Sequence, residues 1–181
     1  MFNTLSYIGK KLNDEGILWG VGASILLNRF GFIDKPNDID IFISLDDIEK
    51  ADEILKSIGE KKKWEKTSTY STEYFYEYVI NGIDIDVMSG FAVNHNNGTF
   101  RYIFDEKSIS EFQIINGVSI PFTSLEDWYV IYQLIPKRQA KVEMIENYLK
   151  LNGVKRPMLL ERSLEGCLEA NVRRKVQAML G

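Results

Sequence analysis

Two short segments of this chain alternate apolar and acidic residues with a period of two. They are Asp38-Ile39-Asp40-Ile41 and Ile83-Asp84-Ile85-Asp86-Val87. On a strand, alternate residues point to opposite faces, so the aliphatic members turn inward and the acids share the other side. Residues two apart lie roughly 6.6–7 Å apart along a strand, which aims Asp38 and Asp40 in one direction. Asp84 and Asp86 are paired in the same way. If the two strands are neighbours, three carboxylates meet at one point. Such a cluster suits a hard divalent cation such as Mg²⁺, which takes oxygen ligands and bridges to substrate phosphates. It fits metal-assisted phosphoryl or nucleotidyl transfer.

Upstream, Trp19-Gly20-Val21-Gly22-Ala23-Ser24 reads as a strand, a glycine turn and a helix start. Backbone N–H groups at such a turn can receive phosphate oxygens.

The ordered set of Gly22-Ala23-Ser24, Asp38-Ile39-Asp40 and a later strand acid resembles the nucleotidyltransferase superfamily. Within it, the chain looks most like the small lincosamide and aminoglycoside antibiotic nucleotidyltransferases. The resemblance runs over about residues 17–150, and Phe122–Trp128 is similar to the family's entry into its helical C-terminal part. It implies that Gly22 and Ser24 bind phosphates, that Asp38 and Asp40 form the metal pair, and that Asp86 is the third carboxylate. It also implies one or two Mg²⁺ ions and a nucleoside triphosphate, ATP by preference, as co-substrate. Lys137 and Arg138, with Lys141, open a helix that in this family faces the nucleotide, which implies a triphosphate contact. Two departures stand out: Val21 separates Gly20 from Gly22, and the loop Phe32–Asn37 carries no arginine.

The remaining pattern predicts a mixed α/β fold. Phe2, Leu5, Ile8 and Leu12 recur at helical spacing, strands are expected at 17–21 and 39–43, and helices at 23–30 and from Ser44 to Ile58. Asn81-Gly82 and Asn116-Gly117 each predict a tight hairpin, because both residues of such a turn adopt positive φ. From Ser124 the pattern becomes helical. The expected architecture is a nucleotidyltransferase-type mixed sheet with flanking helices. A catalytic core over 1–122 would be followed by a helical subdomain over 123–181.

Bulk properties bound the function. The chain has 181 residues, enough for one well-cored domain with an appendage. A formal net charge of −4 argues against broad electrostatic binding to nucleic acid. No apolar run reaches the roughly 20 residues that span a bilayer. With one cysteine and an N-terminus lacking signal-peptide character, the expected setting is the cytosol.

Other residues read as structural. Tyr74, Tyr76 and Tyr78 share a strand face and read as sheet packing; His95 reads as a surface loop residue. Cys167 reads as the apolar face of a helix. Lys61–Lys63 reads as the end of the preceding helix, although with Lys66 it could also form a local basic site. Asp84 reads as a solvated hairpin residue, but it stays open with Glu73 and Glu77 as general base. The expected reaction moves a nucleoside monophosphate to a hydroxyl of a small acceptor such as an antibiotic, releasing pyrophosphate. The alternatives are a toxin-like enzyme modifying tRNA or a protein, and a catalytically idle nucleotide-binding module.

Overall fold

The computed structural model describes residues 1–63 and 67–181, so Lys66 lies outside the described residues. The chain begins with helix α1 (Phe2–Asp14), strand β1 (Trp19–Val21), helix α2 (Ala23–Arg29), strand β2 (Ile39–Ile43) and helix α3 (Ile48–Ile58). Short β3 (Glu60–Lys61) leads to β4 (Tyr74–Ile80) and β5 (Ile83–Ser89), then to a separate hairpin of β6 (Ala92–His95) and β7 (Gly98–Arg101). Strands β8 (Ile109–Ile115) and β9 (Val118–Thr123) follow. Helices α4 (Leu125–Leu134), α5 (Gln139–Asn152), α6 (Pro157–Leu164) and α7 (Ala170–Leu180) complete the chain.

The main sheet has seven strands in the order β3-β4-β5-β2-β1-β9-β8. It is mixed: β2 runs parallel to β5 and β1 parallel to β9, while the other pairs are antiparallel. Both Asn-Gly hairpins form where the sequence predicts them. Asn81 and Gly82 have φ of 52° and 72°, and Asn116 and Gly117 have 50° and 77°. These left-handed pairs match the twist of the strands they join.

Periodicity decides which side chains enter the core. Leu5, Ile8 and Leu12 of α1 are buried, whereas Phe2 is 38% exposed. Each buried aliphatic side chain contributes about 1.5–3 kcal/mol. One sheet face carries Trp19, Ile41 and Ile43, packed under α1; Gly9 of that helix lies so close to Trp19 and Ile120 that a Cβ there would collide. Tyr78 continues this face, and its hydroxyl donates to Asp52 of α3. Lys61 pairs with Asp52 at 2.6 Å and lies 3.3 Å from the Tyr76 ring centroid. The tyrosine stripe is therefore sheet-to-helix packing.

The opposite face carries Asp40 and Phe42 and is covered by α4, with ring centroids of Phe42 and Trp128 5.6 Å apart. Asp127 of α4 is buried; Tyr102 donates to it at 2.9 Å, and Arg162 of α6 lies 3.9 Å away. This network ties the C-terminal helices to the core.

Four expectations change. Lys61 lies on β3 rather than at a helix end, because α3 stops at Ile58. Helix α3 opens at Ile48 and not at Ser44, whose hydroxyl donates to Asp47, and that carboxylate also accepts the Leu18 N–H at 2.8 Å. His95 is no surface residue: it ends β6, its side chain is only 4% exposed, and a ring nitrogen lies 2.9 Å from the Cys167 carbonyl oxygen. Cys167 is exposed, in the connection between α6 and α7 rather than on a helix face.

Candidate active site

Strands β2 and β5 are parallel neighbours, and their register sets Asp40 directly beside Asp86. Asp38, two residues before Asp40, lies just ahead of β2 on the same side. Carboxylate oxygens of Asp38, Asp40 and Asp86 lie within 4.8 Å of one another. The sequence thus places three acids at alternating positions, and the parallel pairing brings them together.

This cluster is electrostatically loaded. Burial, reinforced by the charges of Asp38 and Asp86, raises the Asp40 carboxyl well above the ordinary range, with Lys141 pulling weakly the other way. Burial, then Asp38, Glu77 and Asp84, pushes Asp86 up to about 7. Partly desolvated like charges disfavour joint ionisation unless a cation accompanies them. The donor set, three carboxylates and no nitrogen or sulfur, fits Mg²⁺.

The glycine turn makes structural contacts of its own. Gly22 has φ −140°, an extended conformation open to any residue. Its N–H donates to the Asp40 carbonyl at 3.0 Å, so it is already engaged. A Cβ at Gly22 would lie 2.4 Å from Trp128 Nε1, and this close approach is what requires glycine. Positive φ falls instead on Ala23, at 46°. Ser24 is buried, and its hydroxyl lies 3.2 Å from the Asp38 carbonyl and 3.3 Å from Asp38 Oδ1. The turn therefore holds both ends of the Asp38–Asp40 segment.

The remaining candidates separate. Asp84 is exposed and pairs with Lys62 at 2.5 Å, as a solvated hairpin residue would. Glu77 stands opposite Asp86 across the antiparallel β4–β5 pair, on the same face. Glu73 is exposed and packs beside Gly90. The three acids open into a cleft of about 410 Å³, also lined by Arg138 and Lys141, but not by Lys137. Lys137 is exposed, with φ 63°.

Sequence reasoning missed Tyr70 and Tyr132, which line the same cleft. Trp128 and Tyr132 are one helical turn apart, their ring centroids 5.0 Å from each other. That i, i+4 aromatic pair running toward Arg138 was the available signal.

A profile of the family described as "Nucleotidyl transferase of unknown function (DUF2204)" matches residues 1–159. The chain belongs to this family. Solved structures agree on the fold. A candidate nucleotidyltransferase from Thermotoga maritima superposes with a TM-score of 0.62 at 24% identity, over 82% of this chain and 92% of that one. ANT(2″)-Ia in complex with adenylyl-2″-tobramycin gives a TM-score of 0.58 at 14% identity, over 99% and 98% of the two chains. The lincosamide antibiotic adenylyltransferase LnuA, lincomycin-bound, gives 0.54 at 14% identity, over 80% and 95%. No curated protein sequence matches the chain. Among the described residues, no helix is long and apolar enough to cross a membrane.

Proposed function

We propose that this nucleotidyltransferase moves a nucleoside monophosphate from a nucleoside triphosphate, by preference ATP, to a hydroxyl of a small acceptor. The products are the nucleotidylated acceptor and pyrophosphate. The observation that carries the reading is the convergence of Asp38, Asp40 and Asp86 within 4.8 Å at the floor of a cleft that also presents cations. In this reading those three acids hold one or two Mg²⁺ ions. Bound there, the metal would polarise the acceptor hydroxyl and offset charge on the transferred phosphoryl group.

The chain's own residues supply the rest. Arg138 and Lys141 face the carboxylates from the helical side, where they would draw in the triphosphate and neutralise departing pyrophosphate. Ser24 and the Gly22 backbone hold the Asp38–Asp40 segment at the cleft floor. Among the three carboxylates open as general base, Glu77 has the position beside Asp86, whereas Asp84 is engaged by Lys62.

The division into a core over 1–122 and a helical part over 123–181 is retained on functional grounds: the first carries the acids and the second the cations. A net charge of −4 favours a small acceptor over tRNA. Likeness in fold to the two antibiotic-modifying enzymes makes an antibiotic-like polyhydroxylated compound the first acceptor class to test. A cytosolic setting goes with this reading, supported by the single cysteine.

The test is to incubate the protein with Mg²⁺ and each labelled nucleoside triphosphate, and to follow pyrophosphate release against a panel of hydroxylated acceptors. Release that depends on acceptor, Mg²⁺ and Asp40 is expected. Triphosphate binding with Mg²⁺ but no release against any acceptor would leave a catalytically idle nucleotide-binding module as the better account, and failure to bind any triphosphate would overturn the reading.

A further inference from the structure

One buried polar atom in the cleft is left unused by the contacts described so far. Tyr132 is only 3% exposed, and its hydroxyl has no hydrogen-bond partner among the described residues. A buried hydroxyl without a partner is costly, and most such groups in folded proteins are satisfied. The polar groups of the adjacent aromatic are partnered: Trp128 Nε1, one turn earlier on α4, donates to Thr123 at 2.9 Å, and Thr123 donates to the Val21 carbonyl at 3.0 Å.

The position of Tyr132 narrows the choice of partner. The residue lines the cleft that holds Asp38, Asp40 and Asp86 on one side and Arg138 and Lys141 on the other. The Lys141 ammonium lies over its ring, 5.0 Å from the centroid. Burial, with Asp40 and Asp38 acting the same way and Arg138 against, holds the phenol protonated. The group therefore offers a proton and seeks an acceptor. The cationic neighbours on the helical side select an anionic one.

We propose that the Tyr132 hydroxyl donates to an oxygen of the β- or γ-phosphate of the bound nucleoside triphosphate, forming one donor set with Arg138 and Lys141. The inference rests on the nucleotidyl-transfer reading above. Tyr132 fixes the phosphate chain directionally, where the two cations supply attraction without a single preferred angle. Entry of the triphosphate draws the flexible Lys141 arm from the ring onto the phosphates and opens the approach to the hydroxyl.

Tyr132→Phe is the informative variant, because it keeps the ring, its packing on Trp128 and its contact with Lys141. Binding is measured by calorimetry with Mg²⁺ and the α,β-methylene analogues of the four nucleoside triphosphates, and with the matching monophosphates. Thermal melting is followed without ligand. The expected result is a melting temperature equal to or above that of the wild type and a Kd for the triphosphate analogue raised roughly 10- to 100-fold. The monophosphate Kd should be unchanged. Triphosphate affinity within twofold of wild type would overturn the inference while leaving nucleotidyl transfer intact. So would an equal loss for monophosphate, or a lowered melting temperature, which would reveal a structural partner for the hydroxyl. A wild-type protein that binds no triphosphate analogue would overturn both readings.

Discussion

Gly22→Ala tests whether the glycine of the β1–α2 turn serves a ligand or the fold. At φ −140° and ψ −150° alanine is conformationally allowed, so any cost must come from contacts. The added methyl would meet Trp128 Nε1 at 2.4 Å and ring carbons at 2.5 and 2.6 Å, distances at which something must move. Trp128 has little freedom. It is 3% exposed, packed at tilted angles between Phe42 and Tyr132, and hydrogen-bonded to Thr123. Overpacking of this kind costs about 1–3 kcal/mol, and breaking the indole hydrogen bond adds about 1 kcal/mol. The expected loss is therefore about 2–4 kcal/mol in ligand-free protein. Denaturant unfolding of Gly22→Ala, Trp128→Phe and the double variant measures it. The smaller ring should recover part of the loss, so the two substitutions should be coupled by at least about 0.5 kcal/mol. Wild-type stability in Gly22→Ala, or strict additivity with Trp128→Phe, would refute the argument and return Gly22 to a ligand-facing role.

Asp40→Asn should change stability by about 1 kcal/mol or less, because it removes a charge from a repulsive cluster, yet abolish Mg²⁺-dependent transfer; wild-type turnover in this variant would rule Asp40 out as a ligand. Arg138→Ala should raise the Kd for triphosphate several-fold while Lys137→Ala stays within twofold, since only Arg138 lines the cleft; equal effects would show that position in the cleft does not select the cation. At Asp52, burial acts upward, but hydrogen bonds from Lys56, Lys61 and Tyr78 outweigh it and hold the carboxyl below its ordinary value. That stabilisation is fully present above an unfolded value of about 3.9 and is lost as pH falls through the folded value. Asp52→Asn should therefore cost about 1–3 kcal/mol at neutral pH, with a deficit that shrinks in acid; a deficit constant down to pH 2 would contradict this.

What was legible in the chain by itself was whatever depends on local spacing. Alternation along Ile39–Ile41 and Ile83–Val87 gave two strands with a common acidic habit, and Asn81-Gly82 and Asn116-Gly117 gave two hairpins, because only certain residues tolerate positive φ. The three site acids followed from these patterns together with the family resemblance. Partners distant in sequence were not legible. That β2 and β5 are parallel neighbours, which turns separate acids into a cluster, depends on strand order. That Gly22 makes room for an indole depends on a helix a hundred residues further on, and so does the placement of Tyr132 over the same cleft. His95 and Cys167 show the same limit: each looked ordinary for its local sequence, and each was assigned its surroundings by the docking of the last helices on the β6–β7 hairpin. Local pattern fixes which face a side chain takes, but what that face meets is set by long-range packing.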